Sequence, residues 1–243
     1  GALQTRLELE ANSSVEIVLL LGQTATEPEA QSLLRKYRTA DLEAVLNAVG
    51  RLWDDTLGSV QVTTPDRSMD ILLNRWLLYQ TLACRMWARS AFYQASGAFG
   101  FRDQLQDAMA LTVSKPEVTR EHVLRAASRQ FVEGDVQHWW LPVSGRGIRT
   151  RVSDDRIWLS YVVAHYVEVT GDFQVLDEMV PFLEGHTLRD GEHESYFRPE
   201  VSDTHDTLFE HCARGLDQSL AVGSHGLPLI GTGDWNDGLS RVG

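Results

Sequence analysis

Cysteine is scarce in this 243-residue sequence. The two cysteines, Cys84 and Cys212, lie far apart in apolar, helix-like stretches. We therefore expect two buried free thiols rather than a disulfide, and so low a count is typical of proteins in a reducing compartment. Long apolar runs are lacking as well, because no stretch reaches the roughly 18 apolar residues that a membrane-spanning helix requires.

Positive charge is also in short supply. Lys and Arg number 22 against 34 Asp and Glu, which gives a formal net charge of −12. Non-specific affinity for nucleic acids comes from clustered Lys and Arg, so this balance disfavours a nucleic-acid partner. We expect a neutral ligand, or an anion held by a few local arginines. With 43% hydrophobic and 23% charged residues, the chain is of an ordinary globular composition.

Helical periodicity dominates the sequence after its first 25 residues. Before that point, Leu3–Glu10 alternates in strand fashion and Val15–Gly22 is largely apolar with β-branched residues, and together they predict a β-hairpin from a β-sheet domain. Residues 27–58 predict two helices with a break near Thr39–Ala40. A long, largely apolar helix begins at Pro65, and such a helix is usually central and buried. Further helices are predicted over Arg102–Ser114, Thr119–Gln130, Asp154–Thr170, Phe173–Phe182 and Thr204–Ala221.

This order of elements predicts a mainly α fold of antiparallel helical hairpins packed round a common centre. In an α/α barrel of this kind, the loops at one rim hold the ligand. Three predicted loops share a composition rich in Gly, Arg and Asp, with Trp in the last two: Ser96–Asp107, His138–Asp155 and Gly231–Gly243. Carbohydrate sites combine flat aromatic faces for sugar C–H surfaces with Asp, Asn and Arg groups for hydroxyls.

Two of these loops also have purely structural interpretations. Arg102, Asp103 and Asp107 suit the start of a helix, with an acidic first turn and a local ion pair. Trp139 and Trp140 suit half-buried packing residues.

The remaining stretches have structural alternatives too. Ser153 or Asp154, just before Asp155, is suited to cap the following helix. The sequence "GDWNDG" suits a glycine-rich turn. It fits a calcium loop less well, because its acidic residues are few and the other ligand positions of a helix-loop-helix calcium site are absent.

Three long stretches carry a resemblance to a known family: "NRWLLYQTLACRMWARSAFYQASGAFGFRDQLQD", "HWWLPVSGRGIRTRVSDDRIWLSYVVAHYVEVTGD" and "HGLPLIGTGDWNDGLSRVG". In this order they resemble glycoside hydrolase family 94, the inverting glycoside phosphorylases that include cellobiose and chitobiose phosphorylases. Within the family, the chain is most similar to the C-terminal phosphorylase-like region of bacterial cyclic β-1,2-glucan synthases. The resemblance covers essentially the whole chain.

The resemblance implies a partial (α/α)6 barrel over residues 65–243. Residues 1–25 would be the C-terminal strands of a β-sandwich domain, and residues 26–64 a helical linker. The chain begins within an alternating stretch and stops directly after its most site-like motif. We therefore expect it to be an excised piece of a longer protein, with little activity of its own.

The resemblance also assigns site residues. Asp237 would be the general acid, Trp235 would line the sugar, and Asp234 would supply charge that keeps Asp237 protonated. Residues reaching sugar hydroxyls or lying at the same rim would be Arg102, Asp107, Asp103, Asp154 and Asp155. Arg89, Arg146 and Arg149 are the available phosphate ligands, and much of the phosphate site would come from sequence beyond residue 243.

The implied reaction is reversible, inverting phosphorolysis of a β-glucan to α-glucose 1-phosphate. Inorganic phosphate is the co-substrate, and neither a metal ion nor another cofactor is expected. A β-1,2 linkage follows only from the subfamily resembled. Two alternatives stay open: a glucan-binding or chain-length-controlling domain with little turnover, and an inverting hydrolase, which needs a second carboxylate as base. The family further implies a homodimer and a cytoplasmic location, either free or as the cytoplasmic region of an inner-membrane protein.

Overall fold

The computed structural model describes residues 2, 4–90 and 96–229. The chain divides into two compact units, Gly1–Asp54 and Asp55–Gly243. Within the described ranges, no helix is long and apolar enough to cross a membrane. Cys84 and Cys212 are both free thiols and partly buried, and burial raises the pKa of Cys212 to about 12.

The first unit contains the two helices predicted for residues 27–58. Helix α1 (Glu27–Arg38) has acidic residues in its first turn and basic residues in its last, which suits the helix dipole. Helix α2 (Leu42–Leu57) runs on into the second unit. Asp41 begins α2, because its Oδ1 accepts hydrogen bonds from the backbone nitrogens of Glu43 (3.0 Å) and Ala44 (3.1 Å). The predicted break near Thr39–Ala40 is confirmed.

The N-terminal segment has the turn of the predicted hairpin but not its ladder. The backbone nitrogen of Ser13 donates to the carbonyl of Glu10 at 3.1 Å, and Asn12 has a φ of 62°. No strand pairing is present in the described part of residues 1–25, and Leu7 and Leu9 are about half exposed. A two-stranded hairpin is marginal without a surface to pack against, which accounts for the difference. The assignment of this segment to a β-sandwich stays a prediction.

The second unit opens with the long helical stretch predicted after Pro65. Asp66 caps it, accepting from the backbone nitrogen of Ser68 at 2.8 Å. This stretch is less buried than expected, because Trp76 and Leu77 are about half exposed. It alternates α and π geometry: α3 (Arg67–Ile71), a π segment (Leu72–Trp76), α4 (Leu77–Tyr79) and a second π segment (Gln80–Trp87).

Four helices form the core of the second unit: α5 (Phe101–Leu111), α6 (Pro116–Ala127), α7 (Asp155–Thr170) and α8 (Leu208–Asp217). Their inward side chains are fully buried and include Leu105, Val123, Val162 and Leu208. The predictions for α5, α6 and α7 are confirmed to within three residues at most boundaries. Helix α7 ends at Gly171, whose φ of 72° is the left-handed conformation typical of a helix C-terminus.

A four-stranded antiparallel sheet lies beside these helices. Its strands, in spatial order, are β1 (Phe99–Gly100), β2 (Gln137–Trp140), β3 (Gly147–Thr150) and β5 (Glu194–Phe197). The segment predicted as the loop His138–Asp155 instead contains a β-hairpin, β2–β3. Gly147 is required there, because a Cβ at this position would lie 2.1 Å from the carbonyl oxygen of Trp139.

A second sheet pairs β4 (Met179–Glu184) with β6 (Glu200–Thr207) and corrects two helix predictions. Phe173–Phe182 is a short 3₁₀ turn, Phe173–Asp177, followed by β4, and the start of Thr204–Ala221 belongs to β6. Val180 and Phe182 are buried against the core, and β6 satisfies the backbone of β4. The second unit is therefore mainly α with small antiparallel sheets.

Candidate functional site

The candidate site lies where the first residues of α5 and α7 meet. Arg102, in the first turn of α5, donates from Nη1 to Oδ2 of Asp154, which immediately precedes α7, at 2.7 Å. The Arg102 side chain is almost fully buried and Asp154 is mostly buried. Because water screens such a pair poorly, this charge-assisted bond is stronger than a surface ion pair. Two residues predicted from separate motifs are thus in direct contact.

The carboxylates around Arg102 raise its pKa. Burial acts to lower the pKa of Arg102, but the hydrogen bond to Asp154 and the charges of Asp154, Asp155 and Asp103 outweigh it, so the pKa is raised. Oδ1 of Asp103 lies 4.0 Å from Nε of Arg102. The acidic first turn and local ion pair expected on structural grounds are therefore present, and they belong to the same cluster as the predicted ligand-binding residues.

Asp154 does not cap α7 with its side chain. It occupies the N-cap position, but its carboxylate makes no capping hydrogen bond. Oδ2 instead accepts from Arg102 and, at 3.3 Å, from Nε1 of Trp158. Oδ1 is buried and has no hydrogen-bond partner among the residues that the structure describes. The predicted capping role is wrong for Asp154, because the carboxylate is turned towards α5.

Asp155 is paired with a histidine. Its side chain is 1% exposed, and Oδ2 accepts from Nδ1 of His138 at 2.7 Å. Burial acts to lower the pKa of His138, but the hydrogen bond and charge of Asp155 and the charge of Asp103 outweigh it, so the pKa is raised. Asp155 is thus placed to hold His138 rather than to meet a ligand through solvent.

Asp107 lies on α5 one turn beyond Asp103. Oδ2 of Asp107 accepts from Nε of Arg85 at 2.9 Å and from Nε2 of Gln104 at 3.4 Å. Burial raises the pKa of Asp107 from 3.8 to about 6, although the charge of Arg85 opposes the rise. The charge of Asp103 adds to it, which places Asp107 at the edge of the same acidic group. Among the residues described, its cationic partner is Arg85 rather than Arg102.

Two of the three predicted phosphate ligands are occupied by other groups. Arg89 donates to the carbonyls of Gly97 (2.8 Å), Trp87 (2.8 Å) and Met86 (3.2 Å). Its guanidinium also lies 4.4 Å from the centroid of the Phe99 ring. Burial, with a contribution from the charge of the nearby Arg125, lowers the pKa of Arg89.

Arg149 is even more fully engaged. Its Nε and Nη2 donate to the two carboxylate oxygens of Asp135, each at 2.6 Å, and Nη2 also donates to Glu133 at 3.0 Å. Nη1 donates to the carbonyl of His186 at 3.0 Å. Arg146, by contrast, is exposed in the β2–β3 turn. A phosphate role for these three arginines stays a prediction, and the geometry favours it least for Arg149.

The two tryptophans of the hairpin differ in environment. Trp140 is buried and stacks on Phe99, with ring centroids 5.3 Å apart, so the packing interpretation applies to it. Trp139 is half-buried on the opposite face of the sheet, and its ring lies 5.6 Å from that of Tyr196.

The predicted acid and its neighbours fall in residues 230–243. Asp234, Trp235 and Asp237 therefore lie outside the described residues, and their roles stay predictions. The structure brings together Arg102, Asp103, Asp154 and Asp155, with Asp107 at the edge of the group. Sequence composition pointed to these carboxylates and to Arg102, but it missed Arg85 and His138. Arg85 pairs with Asp107 and His138 with Asp155, and each partner is distant in sequence.

Comparison with known proteins supplies a family for these motifs. Residues 52–243 match the family model described as "Glycosyl hydrolase 94 superfamily, catalytic domain". The chain is 49% identical over 244 residues to the cyclic beta-(1,2)-glucan synthase NdvB of Rhizobium meliloti (strain 1021), covering 100% of this chain and 9% of the synthase.

Phosphorylases are also similar to the chain. The N,N'-diacetylchitobiose phosphorylase of Vibrio furnissii is 26% identical over 273 residues, covering 100% of this chain and 32% of the relative. The 1,2-beta-oligoglucan phosphorylase of Listeria innocua serovar 6a is 26% identical over 212 residues, covering 83% of this chain and 18% of the relative. The chain thus spans less than a third of the length of each of these proteins.

Proposed function

The chain belongs to the glycosyl hydrolase 94 superfamily, as its motifs indicated, and we propose that its parent protein is a glycoside phosphorylase acting on a β-glucan. The observation that carries the proposal is the cluster at the start of α5 and α7, where Arg102 and Asp154 are 2.7 Å apart. Paired carboxylate and guanidinium groups recognise vicinal hydroxyls, so this cluster suits a neutral sugar. Relatives named as phosphorylases support the same reaction class.

The proposed reaction is a single inverting displacement. A phosphate oxygen forms a bond to the anomeric carbon while the glycosidic C–O bond breaks, and Asp237 gives its proton to the departing oxygen. Because phosphate is itself the nucleophile, no carboxylate is needed to activate water. The product is α-glucose 1-phosphate, and the same steps in reverse lengthen the glucan. The step requires Asp237 to be protonated near neutral pH, which the negative charge of Asp234, three residues away in sequence, would favour.

Within this proposal, the described residues bind the sugar. Arg102, Asp103, Asp107 and Asp154 contact hydroxyls, and Trp235 lines the ring. Phosphate is held by arginines, for which Arg146 is the exposed candidate and Arg89 a candidate that would first have to leave its carbonyl partners. A β-1,2 linkage is the proposed specificity, since two relatives are named for β-1,2-glucans.

The architecture that goes with this function is an (α/α)6 barrel to which residues 65–243 contribute. Residues 1–25 are proposed to complete a β-sandwich, and residues 26–64 to link it to the barrel. We place the parent in the cytoplasm or in the cytoplasmic region of an inner-membrane protein, as a homodimer. The mainly α second unit is compatible with this arrangement.

A second candidate is a glucan-binding domain that controls chain length within a synthase. The observation in its favour is the 49% identity to a glucan synthase of which this chain spans only 9%. Such a domain would use the same cluster to hold the glucan but would turn it over slowly.

One experiment separates these candidates. The full-length parent is incubated with linear β-1,2-glucan, with and without inorganic phosphate, and glucose 1-phosphate and free glucose are quantified. We expect glucose 1-phosphate only with phosphate, and little reaction with matched β-1,4 and β-1,3 glucans. Binding without turnover would favour the chain-length domain. Cleavage without phosphate would point to a hydrolase.

A further inference from the structure

His138 lies at an irregularity in β2. The pairing of β2 with β3 shifts between Gln137 and Trp139, which leaves His138 in a bulge without a direct partner on β3. Bulges next to active sites turn a side chain out of the normal alternation of a strand. Here the bulge allows the imidazole to reach Asp155 rather than follow the sheet face.

The contact with Asp155 fixes the orientation of the imidazole. Nδ1 of His138 is used in the 2.7 Å hydrogen bond to a carboxylate that is 1% exposed, so the ring has little freedom to turn. The His138 side chain remains 35% exposed, and its Nε2 makes no hydrogen bond to any residue that the structure describes. A buried carboxylate that holds one ring nitrogen leaves the other for a ligand.

The surrounding charges indicate which ligand this is. The groups acting on His138 are Asp155 from α7 and Asp103 and Arg102 from α5. Arg102 is already paired with Asp154. Carboxylates therefore outnumber cations around the imidazole, which favours a neutral polyhydroxyl ligand over phosphate.

We propose that His138 contacts the glucan directly, donating a hydrogen bond from Nε2 to a sugar hydroxyl, and that Asp155 is the positioning residue that orients it. This inference rests on the proposed function of the same cluster. It also changes the predicted role of Asp155, which acts through His138 rather than by touching the sugar.

The test uses His138→Gln in the full-length parent. Glutamine keeps a side-chain donor but loses the charge and the fixed ring, so the KM for glucan should rise about 10- to 100-fold. The KM for phosphate should change by less than about 2-fold. Both constants are measured at a temperature at which the variant stays folded, because Asp155 loses its charged partner and the stability falls. The matched control is His186→Gln, because the His186 side chain is as exposed as that of His138, 37% against 35%, and its Nε2 lies 2.8 Å from Glu192, outside the cluster.

Asp155→Asn tests the positioning role by its pH dependence. In the parent, the carboxylate of Asp155 raises the pKa of His138, so the imidazole stays protonated to higher pH. The hydrogen bond to the glucan is lost as the pH rises through this raised pKa, because the proton on Nε2 is then lost. Removing the carboxylate should move the alkaline limb of kcat/KM for glucan to lower pH. A merely structural role for Asp155 would lower activity without moving this limb.

The role of His138 can be tested even if the proposed phosphorolysis does not occur. Calorimetric titration of the parent with linear β-1,2-glucan gives a Kd even if no glucose 1-phosphate forms, so His138 is tested in either case. An unchanged Kd and KM for glucan in His138→Gln would overturn the inference. So would an effect confined to phosphate, or an equal loss in His186→Gln.

Discussion

Replacing Asp135 by asparagine tests whether Arg149 has a structural role or holds phosphate. Arg149 is 1% exposed, and its guanidinium lies 3.9 Å from the centroid of the Phe131 ring. Two hydrogen bonds of 2.6 Å join it to Asp135. If these contacts define its role, the loss of Asp135 leaves a buried cation without its main partner.

The expected loss of stability in Asp135→Asn follows from the burial of Arg149 and from the partners that Arg149 keeps. Removing one member of a buried ion pair costs about 3–5 kcal/mol. Asp135 is itself 25% exposed and Glu133 still lies 3.0 Å from Arg149, so we expect the lower end, about 3 kcal/mol. The control Glu133→Gln should cost no more than about 1 kcal/mol, because Glu133 is 43% exposed.

Hydrogen exchange measured by mass spectrometry, in increasing urea, reports the free energy of opening for peptides of β2 and β3 in the parent protein. Asp135→Asn should lower this free energy by about 3 kcal/mol and leave the KM for phosphate of the remaining folded enzyme unchanged. A change below about 1 kcal/mol together with a raised KM for phosphate would refute the structural role and restore Arg149 as a phosphate ligand.

Three further predictions concern the proposed reaction and the acidic cluster. Asp237→Asn should lower glucose 1-phosphate release by at least about 100-fold while glucan binding measured by calorimetry stays nearly intact, because only proton donation is lost; equal activity would remove Asp237 from the role. Arg102→Lys should raise the KM for glucan about 10-fold, since an ammonium cannot replace the fork that meets Asp154; an unchanged KM would count against a sugar contact. Burial raises the pKa of Asp107 from 3.8 to about 6, so its protonated form favours the fold; this contribution to stability is full below the unfolded pKa of 3.8 and is lost as the pH rises through about 6. The stability of Asp107→Asn relative to the parent should therefore increase between pH 4 and pH 7 in urea unfolding, and a constant difference would contradict the raised pKa.

Local patterns were sufficient to predict the core helices. Apolar spacing predicted α5, α6 and α7, although α6 begins at Pro116 rather than at the predicted Thr119. Gly171 follows α7, as the glycine-bearing loop after it indicated. The same reasoning failed for β4, whose short apolar run fits either a helix or a strand. Its partner β6 begins only at Glu200, after β5, and is largely polar, so the residues next to β4 in sequence did not indicate the pairing.

The candidate site was predictable in composition but not in pairing. Arg102 and Asp154 stood out because both lie in loops rich in Gly, Arg and Asp. That they contact each other depends on how α5 packs against α7, which no local pattern encodes. The same holds for Arg85 with Asp107, whose 2.9 Å contact crosses from the π segment to α5.

The start of α7 has a consequence for engineering. Asp154 stands at the N-cap position, yet its carboxylate serves Arg102 rather than the helix. Protein engineering that optimises helix caps would select this position for Ser or Thr, and would gain a capped helix by removing the carboxylate that accepts a hydrogen bond from the buried guanidinium of Arg102. A cap contributes about 1 kcal/mol, whereas breaking a buried ion pair costs about 3–5 kcal/mol, so this substitution is expected to lower the stability of the protein although the rule for helix caps favours it.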